Sequence, residues 1–237
     1  MALSTPEQAG PTKRPRGRPR QTERSPEYKA RLDQIVQAAA DVFHEVGYDA
    51  GSLEDVAASL DLRKASLYHY VGSKAKLLYL VFDRALNLAL RRLTDISSQY
   101  NDPAERLAVL VAHQVSVLAQ ERSMFSAFFG ARPRLDEQFE RQIRTLERQY
   151  LRHYVDAVHA AMDAGVIPRG NAYYTAQGIL GMSNWIYTWF DSETDDWAEV
   201  SDHFIRLILG SSTTSTLASS TDLIHRLADL DEAPPPA

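Results

Sequence analysis

The sequence predicts an all-α protein in two parts, a three-helix helix-turn-helix domain followed by a larger helical domain. Three observations carry that expectation. Apolar residues recur at intervals of three and four along nearly the whole chain. Between residues 95 and 210 nothing alternates as a strand would. Near the N-terminus, two short helical patterns joined by a tight turn follow a longer one, which is helix-turn-helix spacing.

Residues 1–27 are polar and Pro-rich and read as a disordered arm. Within it, residues 13–20 hold five basic side chains and no acidic one. Pro15, Gly17 and Pro19 favour an extended backbone, with Arg16 and Arg18 flanking a residue that has no side chain. Arg16, Arg18 and Arg20 on such a strand suit a narrow minor groove, and the run resembles an AT-hook core. A solvated, solubilising tail is the plainer alternative.

The domain predicted over 28–76 opens with a helix from Tyr28 to Val46. Leu32, Ile35, Val36, Ala39, Val42, Phe43 and Val46 form its apolar face, and Gly47 ends it. Ser52-Leu53-Glu54-Asp55 fits a capping box opening a second, short helix. Asp61-Leu62 makes the turn, and a third helix runs from Arg63 to Tyr70. Leu62 and Leu67 anchor it, leaving many hydrogen-bonding side chains outward, as a helix reading a major groove requires. Val71-Gly72 breaks it, and Ser73 caps a fourth helix to about Leu93.

The body, 77–210, continues with a helix starting at Pro103 and an aromatic segment holding Phe125, Phe128 and Phe129. A long helix from Leu135 to Ala164 follows. Its apolar face includes Tyr150 and Tyr154, with Arg141, Arg144, Arg148 and Arg152 opposite. Those arginines are either a solvated face paired with Glu137 and Glu140 or a rim for an anionic ligand. From Asn171 to Phe190 the chain is apolar almost all round, which requires burial on both sides: own core and a second subunit. Gly178 permits close approach. A following helix carries Trp197, Phe204 and Ile208 on one stripe. Ile186 and Phe190 join them in the predicted interface of a homodimer. Residues 211–237 read as a flexible tail.

Residues 31–78 resemble the DNA-binding domain of the TetR family of bacterial transcriptional regulators. The resemblance rests on Val42-Phe43-His44-Glu45-Val46-Gly47-Tyr48, Ser52 to Ala57, and above all Lys64-Ala65-Ser66-Leu67-Tyr68-His69-Tyr70-Val71-Gly72-Ser73-Lys74. Asp61 departs from the family's usual turn Gly, and Arg63 from its usual small residue. The resemblance implies that Ser52, Tyr68 and Lys74 hold phosphates. Arg63, Lys64, Ser66, His69 and Tyr70 become base-edge or neighbouring phosphate contacts. It implies a dimer on a palindromic double-stranded DNA operator, acting as a repressor, and an effector pocket in the body. Phe125, Phe128, Phe129, Tyr150, Tyr154, Met182, Trp185, Trp189, Arg148 and Arg152 are the candidate walls. Asn184 to Phe190 resembles a run of acyl-CoA-responsive members, with Thr188 where many have Arg. A small hydrophobic effector, an acyl-CoA among the candidates, follows.

Composition bounds the remaining classes. The chain has 237 residues, no Cys and a formal net charge of −5. That charge is uneven: 13 basic against 11 acidic residues up to position 84, then 13 against 20. A basic arm on an acidic body points to nucleic acid. No nucleophile elbow, Gly-rich phosphate loop or His-x-x-x-His pair occurs, so no enzyme, cofactor or metal site is expected. No apolar run reaches membrane-spanning length and the first ten residues lack a signal core, so a cytoplasmic protein without a membrane partner is expected. The alternative reading is an architectural protein that binds A·T-rich minor grooves and has no effector.

Overall fold

A computed structural model describes residues 25–214, together with Leu217, Asp222 and Leu223. Among the described residues every regular element is a helix. The basic arm and most of the tail lie outside this range.

The first helix, α1 (Pro26–Val46), has Pro at its first position and Ser25 as cap, the Ser25 hydroxyl accepting from the Tyr28 N–H at 3.2 Å. Gly47 closes it with φ 80°, a conformation that costs Gly little. Helix α2 (Leu53–Ser59) starts from the expected capping box: the Ser52 hydroxyl accepts from the Asp55 N–H, and the Asp55 carboxylate accepts from the Ser52 N–H at 2.8 Å. Ser52→Ala removes both the box acceptor and a hydroxyl bond to Asp55. It should cost about 1 kcal/mol, read as a lowered urea midpoint with unchanged slope.

Asp61 carries the turn with φ 52°, the left-handed region that Gly enters freely and Asp tolerates better than most. Helix α3 (Lys64–Val71) follows at once. Leu67 and Val71 are its buried residues, so Val71 anchors the helix end where a simple break had been expected. Leu62 is only half-buried. After Gly72, Ser73 caps α4 (Lys74–Leu90).

Helix α4 joins head and body. Its Leu77, Leu78, Val81, Phe82, Ala85, Leu86 and Ala89 are buried, and Phe82 meets Phe128 with ring centroids 4.7 Å apart. It ends at Leu90. A short helix the periodicity had not separated, α5 (Leu93–Gln99), comes next, burying Leu93 and Ile96. Helix α6 (Pro103–Gln120), capped by Asp102, is the central rod of the body, buried along most of its length. It packs against α4, α5, α7 (Arg122–Ala131), α8 (Glu137–Asp163), α9 (Ala172–Asn184), α10 (Ile186–Trp189) and α11 (Trp197–Leu209). A 3-10 turn, Arg132–Arg134, links α7 to α8, and α12 (Ser211–Thr214) follows α11.

The apolar stretch over 171–190 forms two helices, α9 and α10, broken at Trp185. The break turns Ile186 and Phe190 inward, where they are buried with Val115 and Ala119 of α6. By helical counting both would also fall on the stripe of Ala176, Ile179 and Leu180, so the apolar pattern alone gives no sign of the break.

Candidate functional site

Two places bring chemistry together: the outer face of α3 and a cavity in the body. On α3, Arg63, Lys64, Ser66, Tyr68 and His69 are all exposed. Tyr68 is 41% exposed, and the Lys64 ammonium lies 5.6 Å from its ring centre. Lys64 also forms an ion pair with Glu54 of α2, which raises its pKa and lowers that of Glu54. At the exposed end of α4, Lys74 donates to the Asp49 carbonyl at 3.3 Å and sits 4.3 Å from the Tyr48 ring centre. These groups offer donors and a phenol to an anionic partner.

Two expected contacts are placed otherwise. Tyr70 is half-buried and stacks on Tyr28 of α1 at 4.9 Å, so its ring braces α3 instead of projecting outward. The Ser52 hydroxyl donates to Asp55 at 2.7 Å and would have to give up that bond to hold a phosphate. Arg16, Arg18 and Arg20 fall outside the described residues.

The cavity has a volume of about 820 Å³, the size of a pocket for a drug-sized ligand. Phe125, Phe128 and Phe129 of α7 form one wall, and Leu86, Ala89, Leu151 and Leu180 add apolar surface. Arg141, Arg144 and Arg148 border it from α8 and are exposed, which places them at its mouth. Helical counting had put these arginines opposite the apolar face. They reach the cavity because α8 covers it edge-on, with Tyr150 lining the interior. Arg144 also pairs with Glu140 at 2.6 Å.

Five expected wall residues do not border the cavity. Tyr154 is fully buried one turn beyond Tyr150, its hydroxyl donating to the Leu110 carbonyl at 2.9 Å. Burial raises the pKa of both phenols. Trp185 and Trp189 flank the helix break and are exposed, while Met182 is half-buried elsewhere on α9. Arg152 is exposed beyond the mouth. In their place the sequence reading missed Gln114, Asn184, Gln177 and Thr145. A lone Gln inside the apolar run from Leu107 to Leu118 was the available signal for the first of these.

The expected interface residues also divide. Ile186 and Phe190 are buried within the chain itself and so cannot present a surface. Trp197, Phe204 and Ile208 are half-buried. Gly178 is exposed, and a side chain there would meet no atom of this chain within 4 Å. Tyr173 and Tyr174 of α9, Trp185 at the break, Trp189 of α10 and Leu207 of α11 are also exposed.

Head and body are tied through α7 and the 3-10 turn. Gln37 and His44 of α1 bond Ser123 and Ser126 of α7, the latter pair at 2.8 Å. Arg134 binds the Asp49 carboxylate through two nitrogens, at 2.8 to 3.1 Å. The guanidinium holds the Asp49 pKa down. Thus α7 faces the cavity with its phenylalanines and grips the reading head with its serines.

A helix-turn-helix head with an exposed third helix, set on a helical body with an internal cavity, defines a DNA-binding regulator class. Two family models match: "Bacterial regulatory proteins, tetR family" over residues 35–80, and "Tetracyclin repressor-like, C-terminal domain" over 100–211. Together they cover about two thirds of the sequence, and the chain belongs to the TetR family of regulators.

Among curated proteins, the chain is similar to IcaR of Staphylococcus aureus, a negative transcriptional regulator of a biofilm operon. The two are 45% identical over 42 residues, 18% of this chain and 23% of that protein. Among solved structures it is similar to PfmR of Thermus thermophilus, with 26% identity and a TM-score of 0.70, covering 74% of this chain and 96% of that one. The fold also resembles AibR in complex with isovaleryl coenzyme A and operator DNA. The TM-score is 0.70 at 22% identity, covering 76% of this chain and 98% of that one.

Proposed function

We propose that this chain is a ligand-responsive transcriptional repressor. It binds a palindromic double-stranded DNA operator as a homodimer and releases it when a small hydrophobic effector enters the body. The observation that carries this reading is the double role of α7, whose aromatic face walls the cavity while Ser123 and Ser126 hold α1 of the head. A ligand that differentiates between two positions of α7 shifts the reading helices with it.

Two-fold pairing is supported by the exposed Tyr173, Tyr174, Trp185 and Trp189 of the α9–α10 segment and by the exposed Leu207 of α11, large apolar side chains that a partner surface would cover. An acyl-CoA is the favoured effector. Apolar walls suit an acyl chain, Arg141, Arg144 and Arg148 at the mouth suit phosphates, and AibR holds such a ligand in the same fold. Arg16, Arg18 and Arg20 add minor-groove contacts beside the operator. No described helix is long and apolar enough to cross a membrane, and the site of action proposed is the cytoplasm.

Footprinting on DNA from around the protein's own coding region tests the core of the proposal. A discrete two-fold-symmetric protected site is expected, lost on adding an acyl-CoA that native mass spectrometry finds on the dimer. Diffuse protection of A·T-rich DNA, unchanged by any acyl-CoA, would refute it.

A further inference from the structure

Beside the exposed Gln177, Thr145 and α8 arginines, three further polar side chains of the cavity lining are bonded to one another. Tyr150 of α8 donates its hydroxyl to Gln114 Oε1 of α6. The Gln114 amide then donates to Asn184 Oδ1, the last residue of α9, at 2.6 Å. Gln114 is only 3% exposed, and all three residues border the cavity. Around them stand Leu86, Ala89, Phe125 and Leu180, which offer no polar group.

A primary amide supplies two N–H donors and an oxygen with two acceptor sites. Among the described hydrogen bonds, Gln114 uses one donor and Asn184 neither. The chain of bonds therefore leaves donors over, next to an apolar space. Gln114 is buried and Asn184 half-buried, so a ligand filling the apolar space shuts their remaining donors off from water, a cost that a ligand oxygen placed among them recovers. An apolar group of the same shape cannot.

We propose that Gln114 and Asn184, oriented by Tyr150, form the effector's polar subsite and receive a carbonyl oxygen carried on an apolar body. This rests on the effector reading above and narrows it. The recognised group is an uncharged acceptor held deep in the cavity, separate from any anion at the α8 arginines. The subsite also has a mechanical position. The Gln114–Asn184 bond ties α6 to the end of α9, immediately before the break at Trp185. A carbonyl that draws the Asn184 amide towards itself acts on the helix carrying the proposed dimer face.

The test uses a matched pair of ligands, 2-decanone and 2-methyl-1-decene, in which C=O is replaced by C=CH₂ of the same shape and no charge is present. Fluorescence titration of the full-length protein should show the ketone binding about tenfold more tightly, the worth of one buried hydrogen bond. The ratio should fall to about one in Gln114→Met and in Asn184→Leu. Each ratio is taken within one protein, so a weakened fold does not mimic the loss. Should one variant fail to fold, the other decides.

A wild-type ratio near one, no binding of either compound, or a preference surviving in a folded variant would each overturn the proposal. Operator footprinting of the same ligand-free proteins separates the two levels. A normal footprint with no ketone preference sinks only the subsite, whereas a ketone preference with no footprint sinks only the repressor.

Discussion

Tyr68→Ala should remove the operator footprint, lowering affinity at moderate salt by roughly a hundredfold or more. Symmetry and exposure set the size of this loss. A hydrogen bond from a hydroxyl to a charged phosphate is worth about 1.5–3 kcal/mol, and a two-fold dimer loses two at once. Tyr68 is 41% exposed and contributes little to the core, so the fold should hold, with stability changed by about 0.5 kcal/mol at most. Circular dichroism melts and footprints on the same sample separate loss of reading from loss of folding.

The companion variant, Arg16→Ala with Arg18→Ala, should behave differently. It removes cations and no α3 contact, so binding should weaken evenly across sequences while its salt dependence flattens. If binding survives Tyr68→Ala and vanishes without the two arginines, the architectural reading replaces the repressor.

Helix ends were legible because they are written in short-range chemistry. Ser52, Ser73 and Gly47 act at the ends they were expected to mark, through hydroxyl caps and a left-handed backbone. The apolar stripes of α1, α6 and α8 were equally readable, since a periodic face must be buried somewhere. What the pattern does not encode is a place where helices fail to touch. A cavity is bordered by edges of stripes, and Arg144 and Gln114 belong to no stripe. For the same reason Tyr154 and Tyr150 looked equivalent, four residues apart on one face, yet only Tyr150 reaches the open space.

The break at Trp185 was missed because hydrophobic periodicity counts faces and not directions. Ile186 and Phe190 suit an interface as well as a core until α6 is seen to supply Val115 and Ala119. Tyr70 was misplaced similarly: an aromatic beside basic residues reads as a contact, whereas Tyr28, seen only in the fold, holds it.

Stability should fall by about 2 kcal/mol between pH 7 and pH 5, and His113 should account for most of it. Its ring lies on α6 next to Gln114, is 3% exposed, and has Nε2 2.9 Å from the Ala89 carbonyl of α4. Burial, with Arg92 nearby, pushes its pKa down to about 4, against an ordinary value of 6.5. The neutral ring therefore belongs to the folded state, while the unfolded chain takes up a proton below pH 6.5. Where the unfolded state binds more protons, stability rises with pH. The contribution is thus complete above about pH 7, declines as pH falls through 6.5, and levels off below 4. The full difference of roughly 2.5 pKa units corresponds to about 3 kcal/mol, of which about 2 is lost by pH 5.

The carboxylates held low by Arg134, Lys64 and Arg144 change little in this window, because their stabilisation is lost mainly as pH falls below their ordinary values of 3.8 and 4.5. Urea unfolding of wild type and His113→Gln at both pH values decides the matter. The variant should start less stable at pH 7 and lose much less on acidification. An equal loss in both would assign the pH dependence elsewhere, with His153, also lowered by burial, the next group to replace. The His113 bond joins α6 to α4 at Ala89, itself a cavity residue, and a protonated ring keeps this bond, since a carbonyl favours the charged form. The cost of protonation therefore comes from burial and from Arg92, not from loss of the contact between α6 and α4.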